Sequence, residues 1–469
     1  MEMGIKTAYR EQLDKQLTFS KISNFFLVIV VLSVPFNSFS LFRIADFGVS
    51  LGLIALGLFI IFSSFRIRIR LTFPTIFILI YLFYCVILNM PVLFFRGLSL
   101  SDFSRSFLLL SFLVVGYIIL SNYEVSIKFV YRLLLTLIAI SIPVMLYGFY
   151  QLPARQSGLP LAYIPSSYLV EPAGSDIVRF LGYARIQSVF LEPAHYGDFL
   201  GILLCLTFPL INLPNPKKVR IFLYFALMLE IFSIILALPF SSYLYLFLTI
   251  FIFLFIKQSS KARYKRRFIN NKELLTFIFF MVAVLVGGLL FINLHYKINI
   301  LHIAFHRLNN LPSEGSFKER VFALGESFSV ALNNVPLFGV GLGNVQNWFK
   351  LNYPYPHYIQ NNYKIATGYG YLIVSSGMIG FSIFILFIGS SFRNVYHLYL
   401  VCLRDYYKSV SVVAVIAEIS LLAFIFLIVS MLFSGIFINF KLWTLLGLIN
   451  LSNNAILKFA ELKKEGESL

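Results

Sequence analysis

Residues 411–432 read SVVAVIAEISLLAFIFLIVSML, a run of 22 residues that contains a single charged side chain, Glu418. A helix of about 20 apolar residues spans the roughly 30 Å hydrocarbon core of a bilayer and satisfies its own backbone hydrogen bonds there. Eleven further stretches of this kind lie at about 24–42, 47–65, 73–94, 106–122, 129–150, 191–212, 219–238, 240–256, 275–294, 369–391 and 435–451. The sequence therefore predicts an all-α polytopic membrane protein of about twelve transmembrane helices, with a tight turn near Ser434 and Gly435 joining the last two.

The composition leads to the same conclusion. Of the 469 residues, 59% are hydrophobic and 12% are charged, and the mean hydropathy is +0.85. A chain this apolar needs lipid as its solvent, which excludes a water-soluble globular protein. We therefore treat residues 1–469 as a single integral membrane domain.

Basic residues mark alternate loops of the predicted bundle. Lys and Arg near span ends are retained on the cytoplasmic side during insertion. They cluster in every second loop, at 66–70, 128–132, 217–220, 257–272, 393–408 and 458–464. The short loops between these clusters hold only Arg43, Arg96, Arg105 and Lys441. This alternation predicts that the N- and C-termini are both cytoplasmic.

The formal net charge of +18 comes mostly from those cytoplasmic loops. Membrane topology and attraction to anionic lipid headgroups account for such a distribution. The expected partners are therefore membrane lipids, and no nucleic acid is expected.

Only two connections are long enough to form structure of their own, residues 151–190 and 295–368, and both are predicted to be extracytoplasmic. Loops held on a rigid scaffold commonly carry binding and catalytic residues. We therefore expect the functional site in these two loop segments.

The first loop segment is followed by an apolar span, and charged residues gather where the two meet. After Arg179, residues 185–195 read RIQSVFLEPAH. Pro193 is typical of a first helical residue, so Glu192 is expected at the N-cap and His195 in the first turn. A carboxylate, an imidazole and guanidinium groups at a membrane boundary can bind phosphate and move a proton. Taken singly, Glu192 is equally well explained as a helix cap and His195 as an interfacial side chain.

The second loop segment predicts an amphipathic helix. Residues 316–319 read SFKE, a capping-box pattern that opens a helix, and Arg320 follows directly. Apolar positions alternate with polar ones through Leu332, and the helix is expected to end between Asn333 and Pro336. Residues 336–344 then read PLFGVGLGN, which we interpret as a tight, closely packed turn because the spacing of a nucleotide-binding glycine loop is absent.

Other polar residues of the second loop carry weaker signals. His302 and His306 would share a helix face, but without a third ligand they are interpreted as interfacial histidines, and no metal or cofactor is predicted. The aromatic and polar stretch between Trp348 and Tyr363 is typical both of a sugar-stacking surface and of an aromatic belt. Within the predicted spans, Glu230 and Glu418 indicate either a proton relay or a buried structural pair.

The motifs just described resemble those of a known enzyme superfamily. The segment from Arg185 through Glu192 and His195 resembles the outer-loop motif of bacterial O-antigen and exopolysaccharide polymerases. Arg320 followed by residues 336–341 is similar to the second-loop motif that these polymerases share with O-antigen ligases. The layout of about twelve spans, two outer loops and a GMIG segment at 377–380 is similar as well.

That resemblance implies a GT-C-like fold with short amphipathic helices in the two outer loops. It also implies an enzymatic activity. The activity is glycan transfer from an undecaprenyl-diphosphate carrier to a sugar hydroxyl at the outer face of the bacterial inner membrane. The guanidinium groups of Arg185 and Arg320, with Arg179 as an auxiliary, would stabilise the leaving diphosphate without a metal. Glu192 or His195 would accept the proton of the attacking hydroxyl, with Glu192 the first choice. A chain-length regulator protein is a further partner that such a polymerase can have.

Two alternatives remain open at the level of sequence. An O-antigen ligase would transfer the finished glycan to lipid A core, but the stretch ATGYGY at 366–371 lacks the histidine that such ligases carry there. A lipid-linked oligosaccharide flippase or other transporter would move the substrate without making a bond. We expect such a transporter to place its basic residues inside a central cavity.

Overall fold

The structure is a computed structural model in which most of the chain is described. The described residues are 20–44, 47–64, 67–164, 179–180, 183–237, 240–264, 315–335, 337–352, 367–405, 411–435 and 437–464. The predicted span at 275–294 and the histidines at 302 and 306 lie outside these ranges.

Helices dominate the described residues. In chain order they are α1 (Ser20–Phe36), α2 (Leu51–Ser64), α3 (Phe73–Arg96), α4 (Leu100–Asn122), α5 (Ile127–Ser157), α6 (Pro193–Ile211), α7 (Lys217–Ala237), α8 (Phe240–Tyr264), α9 (Gly315–Asn334), α10 (Val345–Asn352), α11 (Gly368–Asp405), α12 (Val412–Ser430) and α13 (Phe440–Lys464). Two short antiparallel pairs complete the elements, β1 (Phe42–Ile44) with β2 (Phe47–Val49) and β3 (Arg179–Phe180) with β4 (Tyr183–Ala184).

The prediction of an all-α polytopic membrane protein is confirmed. Eight helices of the described ranges are long and apolar enough to cross a membrane, namely α3 to α8, α11 and α12. The shorter apolar helices α1 and α2 and the less apolar α13 occupy three more of the predicted spans. The total of twelve and the GT-C-like arrangement stay predictions.

Three helix boundaries differ from the predicted spans. Helix α1 ends in a 3-10 turn at Val34–Phe36 instead of continuing to residue 42, because Pro35 and the polar residues after it interrupt the pattern. Helix α5 continues to Ser157, seven residues into the segment predicted as a loop from 151. Helix α11 extends to Asp405, well beyond the apolar stretch that ends near 391.

The helix ends gather at two opposite ends of the bundle. At one end the start of α6 contacts the start of α8 and the turn between α12 and α13, through Ser242 and Ser434, whose hydroxyls donate to Asp198. We call this the long-loop end, because the first long connection ends there at the start of α6, and the second ends there at the start of α11, where Gly368 N donates to Met431 O at 3.0 Å. At the other end Tyr131 of α5 donates to Asn215, between α6 and α7.

The centre of the bundle is tightly packed around α6 and α12. A Cβ added at Gly201 of α6 would overlap the ring of Phe426 of α12, so the two helices approach closely only because this residue is glycine. Aromatic rings fill the neighbouring space, where Trp443 stacks on Phe387 at a centroid distance of 5.9 Å. This core fixes the position of the first turn of α6.

The two acidic residues predicted within spans both have polar partners. Glu230 of α7 is fully buried and accepts a hydrogen bond from Thr207 Oγ1 at 2.7 Å. Glu418 of α12 forms an ion pair with Lys257 of α8 at 3.2 Å, and the Lys257 ammonium lies 5.3 Å from the ring centroid of Phe253. Glu418 is therefore one half of a partly buried ion pair, which favours the structural role of the two expected for it.

A second charged group lies at the end opposite the long loops. Glu124, between α4 and α5, pairs with Lys458 of α13 at 2.7 Å and with Arg70 at 3.3 Å. The hydrogen bond from Lys458 is the main reason that the pKa of Glu124 is lowered from its ordinary value. This group joins three separate parts of the chain at one end of the bundle.

Candidate functional site

The segment 185–190 is anchored by its apolar residues. Ile186, Val189 and Phe190 are buried, and the ring of Phe190 stacks on Tyr196 of α6 at a centroid distance of 5.5 Å. Burial of these side chains fixes the segment against the first turns of α6. The charged side chains at its two ends, Arg185 and Glu192, stay only partly buried.

A buried amide holds the same segment from the other side. Gln151 accepts hydrogen bonds from the backbone N–H groups of Gln187 and Ser188 at 3.1 and 2.8 Å, and donates to the Ser188 carbonyl at 3.0 Å. The Ser188 hydroxyl donates in turn to the carbonyl of Val144. Ser188 has a positive φ of 52°, a conformation that a residue with a side chain adopts only when its surroundings impose it. The seven extra residues of α5 therefore contribute directly to the site, since they include Gln151.

Arg155, one turn further along α5, completes this support. Its Nε donates to the carbonyl of Ala162 at 3.0 Å, its Nη1 donates to the carbonyl of Arg185, and its guanidinium lies 4.7 Å from the ring centroid of Tyr163. Planar donors in a fixed fork suit this task of joining two backbone segments. Arg155 thus positions the backbone of Arg185. Sequence reasoning did not identify this residue.

Glu192 and His195 occupy the positions that the sequence predicted for them. Glu192 is the N-cap of α6 with φ −140° and ψ 153°, and Pro193 is the first helical residue. The Glu192 carboxylate makes no capping hydrogen bond, and neither it nor the His195 side chain forms an ion pair or hydrogen bond with any described residue. Both are partly exposed. They are therefore available to a ligand at the long-loop end, and the cap role is carried by the backbone alone.

The glycine-rich turn of the second loop is a closely packed structure, as predicted. Helix α11 is broken at Gly377, where φ is 65° and ψ is −175°. The turn pairs with this break like a short strand, with Val340 N donating to Val374 O at 3.0 Å and Gly341 N to Ser375 O at 2.9 Å. Because these backbone N–H groups are used internally, the turn is not arranged to hold a nucleotide phosphate.

Two side chains of α3 fix the other face of this turn. The Asn89 amide donates to the carbonyls of Phe338 and Ser375, and the Tyr84 hydroxyl donates to the carbonyl of Ser376. Residues Cys85–Asn89 of α3 form a π turn, which lies between these two contacts. The break in α11 and the glycine-rich turn are therefore held as one unit.

A small second core connects the loop helices α9 and α10 to α11. It contains Val330 and Ala331 of α9, Trp348 and Phe349 of α10, and Val374 of α11. The predicted amphipathic helix is confirmed, including its end at Asn334. Leu332, assigned to its apolar face, is instead exposed. Trp348 is buried in this core and is not part of a sugar-stacking surface. The rest of that aromatic stretch, from 353 to 363, lies outside the described residues.

The five predicted site residues are not all described to the same degree. Arg185, Glu192 and His195 lie at the start of α6 and the segment before it. Arg320 lies in α9 and Arg179 in β3, but the side chains of both are outside the described set. The first loop segment has the β3–β4 pair among its described residues, where amphipathic helices were expected. The meeting of Arg320 with Glu192 stays a prediction.

Asp198, in the second turn of α6, is a site residue that sequence reasoning missed. It is 2% exposed, and its two carboxylate oxygens accept from Ser242 at 3.0 Å and from Ser434 at 3.2 Å. His195 and Asp198 are three residues apart and so share a helix face. An ionisable residue inside a predicted span is the signal that identified Glu230, and the same signal was present at Asp198.

In the described ranges no group of three or more His, Cys, Asp or Glu side chains is arranged to hold a metal ion. The independence from metal that the resemblance implies stays a prediction. Comparison with protein-family models gave no match for this chain. A comparison with curated proteins gave none either.

Proposed function

We propose that this protein polymerises oligosaccharide repeat units carried on undecaprenyl diphosphate, by glycosyl transfer at the long-loop end of the bundle. The proposal assigns that end to the outer face of a bacterial inner membrane and both termini to the cytoplasm, following the distribution of basic residues. Membrane lipids surround the site, and a chain-length regulator protein is a further partner in this proposal. No metal or cofactor takes part.

The proposed reaction makes and breaks one glycosidic bond per cycle. A sugar hydroxyl of the acceptor attacks the anomeric carbon of the donor, and the bond from that carbon to the diphosphate oxygen breaks. The bonding electron pair leaves with the diphosphate, whose growing negative charge is stabilised by Arg185 and Arg320, with Arg179 as an auxiliary. The hydroxyl proton passes to the carboxylate of Glu192, or to His195.

The observation that carries this proposal is the combination of an anchored segment with a partly exposed, unpaired carboxylate at its end, that of Glu192. Gln151 and Arg155 hold residues 185–188 by at least four hydrogen bonds. Glu192 has a carboxylate that neither caps its helix nor pairs with a described cation. Rigid support of a partly exposed acid and a guanidinium is what a preorganised transfer site requires.

The decisive experiment incubates the purified full-length protein with lipid-linked repeat units and no other acceptor. A ladder of products of increasing length is expected. Arg185→Ala and Glu192→Gln should each lower the rate by about 100-fold, since a charge-stabilising donor or a general base contributes about that much. Arg132→Gln is the matched control, because Arg132 is an exposed arginine at the opposite end of α5. Ladders of normal length in both site variants would contradict the assignment.

A transporter is the alternative that one structural observation favours. Asp198 and Lys441 are ionisable and buried between helices, 2% and 5% exposed respectively, as groups along a transport path can be. A transporter would move the lipid-linked unit without lengthening it, so the same incubation separates the two functions. A ligase would form product only when lipid A core is added.

A further inference from the structure

Lys441 is a buried cation near the start of α13. It is 5% exposed, and among the described residues its ammonium forms no hydrogen bond and no ion pair. By sequence it is grouped with the basic residues of the short loops. Removing an ammonium from water without a compensating partner is costly, so a buried lysine of this kind indicates an anionic ligand or a structural role.

The surrounding turn holds Lys441 in a fixed place. Its backbone N–H donates to Asn439 Oδ1 at 2.8 Å, and the same amide oxygen accepts from Asn37 at 3.2 Å. Two residues further, the Trp443 indole donates to the carbonyl of Phe437 at 2.8 Å. The ammonium is thus carried by a rigid part of the chain, as binding groups usually are.

Asp198 is an opposite charge that acts on Lys441. Its carboxylate is close enough to act electrostatically on Lys441, yet no ion pair joins them and both carboxylate oxygens are engaged by serine hydroxyls. Ser434, one of these partners, lies in the turn that leads to Lys441. The arrangement leaves the ammonium only partly compensated. Lys441 therefore lies beside α6, near the helix face that carries Asp198. His195 precedes Asp198 on that face by less than one turn.

We infer that Lys441 is an anion-binding residue of the proposed site and receives a phosphate group of the prenyl diphosphate carrier. This inference rests on the proposed function, which requires a bound diphosphate near Glu192 and His195. Asp198 then has a defined effect. Its negative charge weakens the hold of Lys441 on the anion, and it stabilises the charged form of the ammonium when no ligand is bound.

The test measures binding of farnesyl diphosphate to the full-length protein in phosphatidylcholine nanodiscs by microscale thermophoresis. Lys441→Met should weaken binding by about 10- to 100-fold, the range for losing a charge-assisted hydrogen bond. Lys458→Met is the matched control at the other end of the same helix and should change affinity by less than about twofold. Asp198→Asn keeps one of the two hydrogen-bond acceptors and removes the charge, so it should tighten binding several-fold.

We expect Lys441→Met to weaken binding and Asp198→Asn to tighten it. These opposite changes in affinity separate ligand binding from a structural role. A structural pair would lose stability in both variants, and both would then weaken binding, which would overturn the inference. If Lys441→Met fails to fold, Lys441→Arg should retain binding, and the tightening in Asp198→Asn still decides the question. Unchanged affinity in a folded Lys441→Met would also refute it.

Two further arms identify the ligand and separate this inference from the proposed function. Phosphatidylglycerol that competes as well as farnesyl diphosphate would overturn the carrier assignment, because a bilayer headgroup would then be the ligand. If Lys441→Met binds farnesyl diphosphate as well as the wild-type protein does, while the product ladder still depends on Arg185 and Glu192, this inference alone is overturned. Absence of both binding and ladder in the wild-type protein would overturn both.

Discussion

Helix α11 is broken at Gly377, and we predict that adding a side chain at this residue greatly lowers the stability of the protein. The backbone at this glycine, with φ 65° and ψ −175°, is in a region that other residues occupy at a cost of about 1–3 kcal/mol. A Cβ would also lie 2.5 Å from the carbonyl carbon of Leu337 and 2.6 Å from the nitrogen of Gly339. Both neighbours are backbone, so neither can rotate away.

Relief of this overlap would separate the glycine-rich turn from α11. The three hydrogen bonds between the two segments would then be lost, namely Val340 N to Val374 O, Gly341 N to Ser375 O, and Ile379 N to Leu337 O. Each such bond contributes about 1 kcal/mol. Together with the backbone strain, we expect Gly377→Ala to lower the free energy of unfolding by about 4 kcal/mol.

The assay is equilibrium unfolding of the purified protein in mixed micelles, and the same helix supplies its control. A Cβ added at Gly389 would meet no heavy atom within 4 Å, so Gly389→Ala should be neutral or stabilise by up to about 1 kcal/mol. Equal stability of the Gly377→Ala and Gly389→Ala variants would refute the reasoning. It would mean that the turn and the break do not depend on one another.

Three further predictions follow from the charged groups and from the proposed chemistry. Lys257→Met should lower the free energy of unfolding by about 1–2 kcal/mol, because it leaves the partly buried Glu418 unpaired, and adding Glu418→Leu should recover most of the loss in the same micelle assay. The lowered pKa of Glu124 means that its stabilising effect is complete near neutral pH and is lost as the pH falls through that pKa. Glu124→Gln should therefore reduce stability at pH 7, by at most about 1 kcal/mol because the carboxylate is 54% exposed, and the difference from the wild-type protein should shrink as the pH is lowered into the acid range. Ladder formation should continue in EDTA, and a loss that divalent cations restore would contradict the metal-independent chemistry.

Apolar runs predicted most of the helices well, because the requirement to span lipid leaves few alternatives. The run 73–94 became α3 at Phe73–Arg96, and 219–238 became α7 at Lys217–Ala237. Hydropathy gave the wrong boundary where a helix continues beyond its apolar stretch. Helix α5 runs through Gln151 and Arg155, whose polar side chains suggested a loop but in fact hold the segment 185–188.

The site could be predicted where local signals fix the backbone and not where contacts are long-range. Pro193 after Glu192 located the start of α6 correctly. In contrast, no local pattern relates Asp198 to Ser434 or Lys441, which are more than 230 residues away in sequence. Helix packing brings the Ser434 hydroxyl to the Asp198 carboxylate and Lys441 within its electrostatic range. Burial of Lys441 likewise depends on the packing around the turn after α12, which hydropathy does not encode.

The π turn in α3 has a consequence for how this chain tolerates change. Residues five apart in a regular α-helix point in directions roughly 140° different. The wider turn at Cys85–Asn89 instead lets Tyr84 and Asn89 reach the consecutive carbonyls of Ser376 and Ser375. Deleting one residue from this turn would restore ordinary helical geometry and swing one of the two side chains into lipid. The length of this stretch is therefore more tightly constrained than the identity of its side chains, so single-residue deletions here should be far more damaging than apolar exchanges at the exposed Ile87.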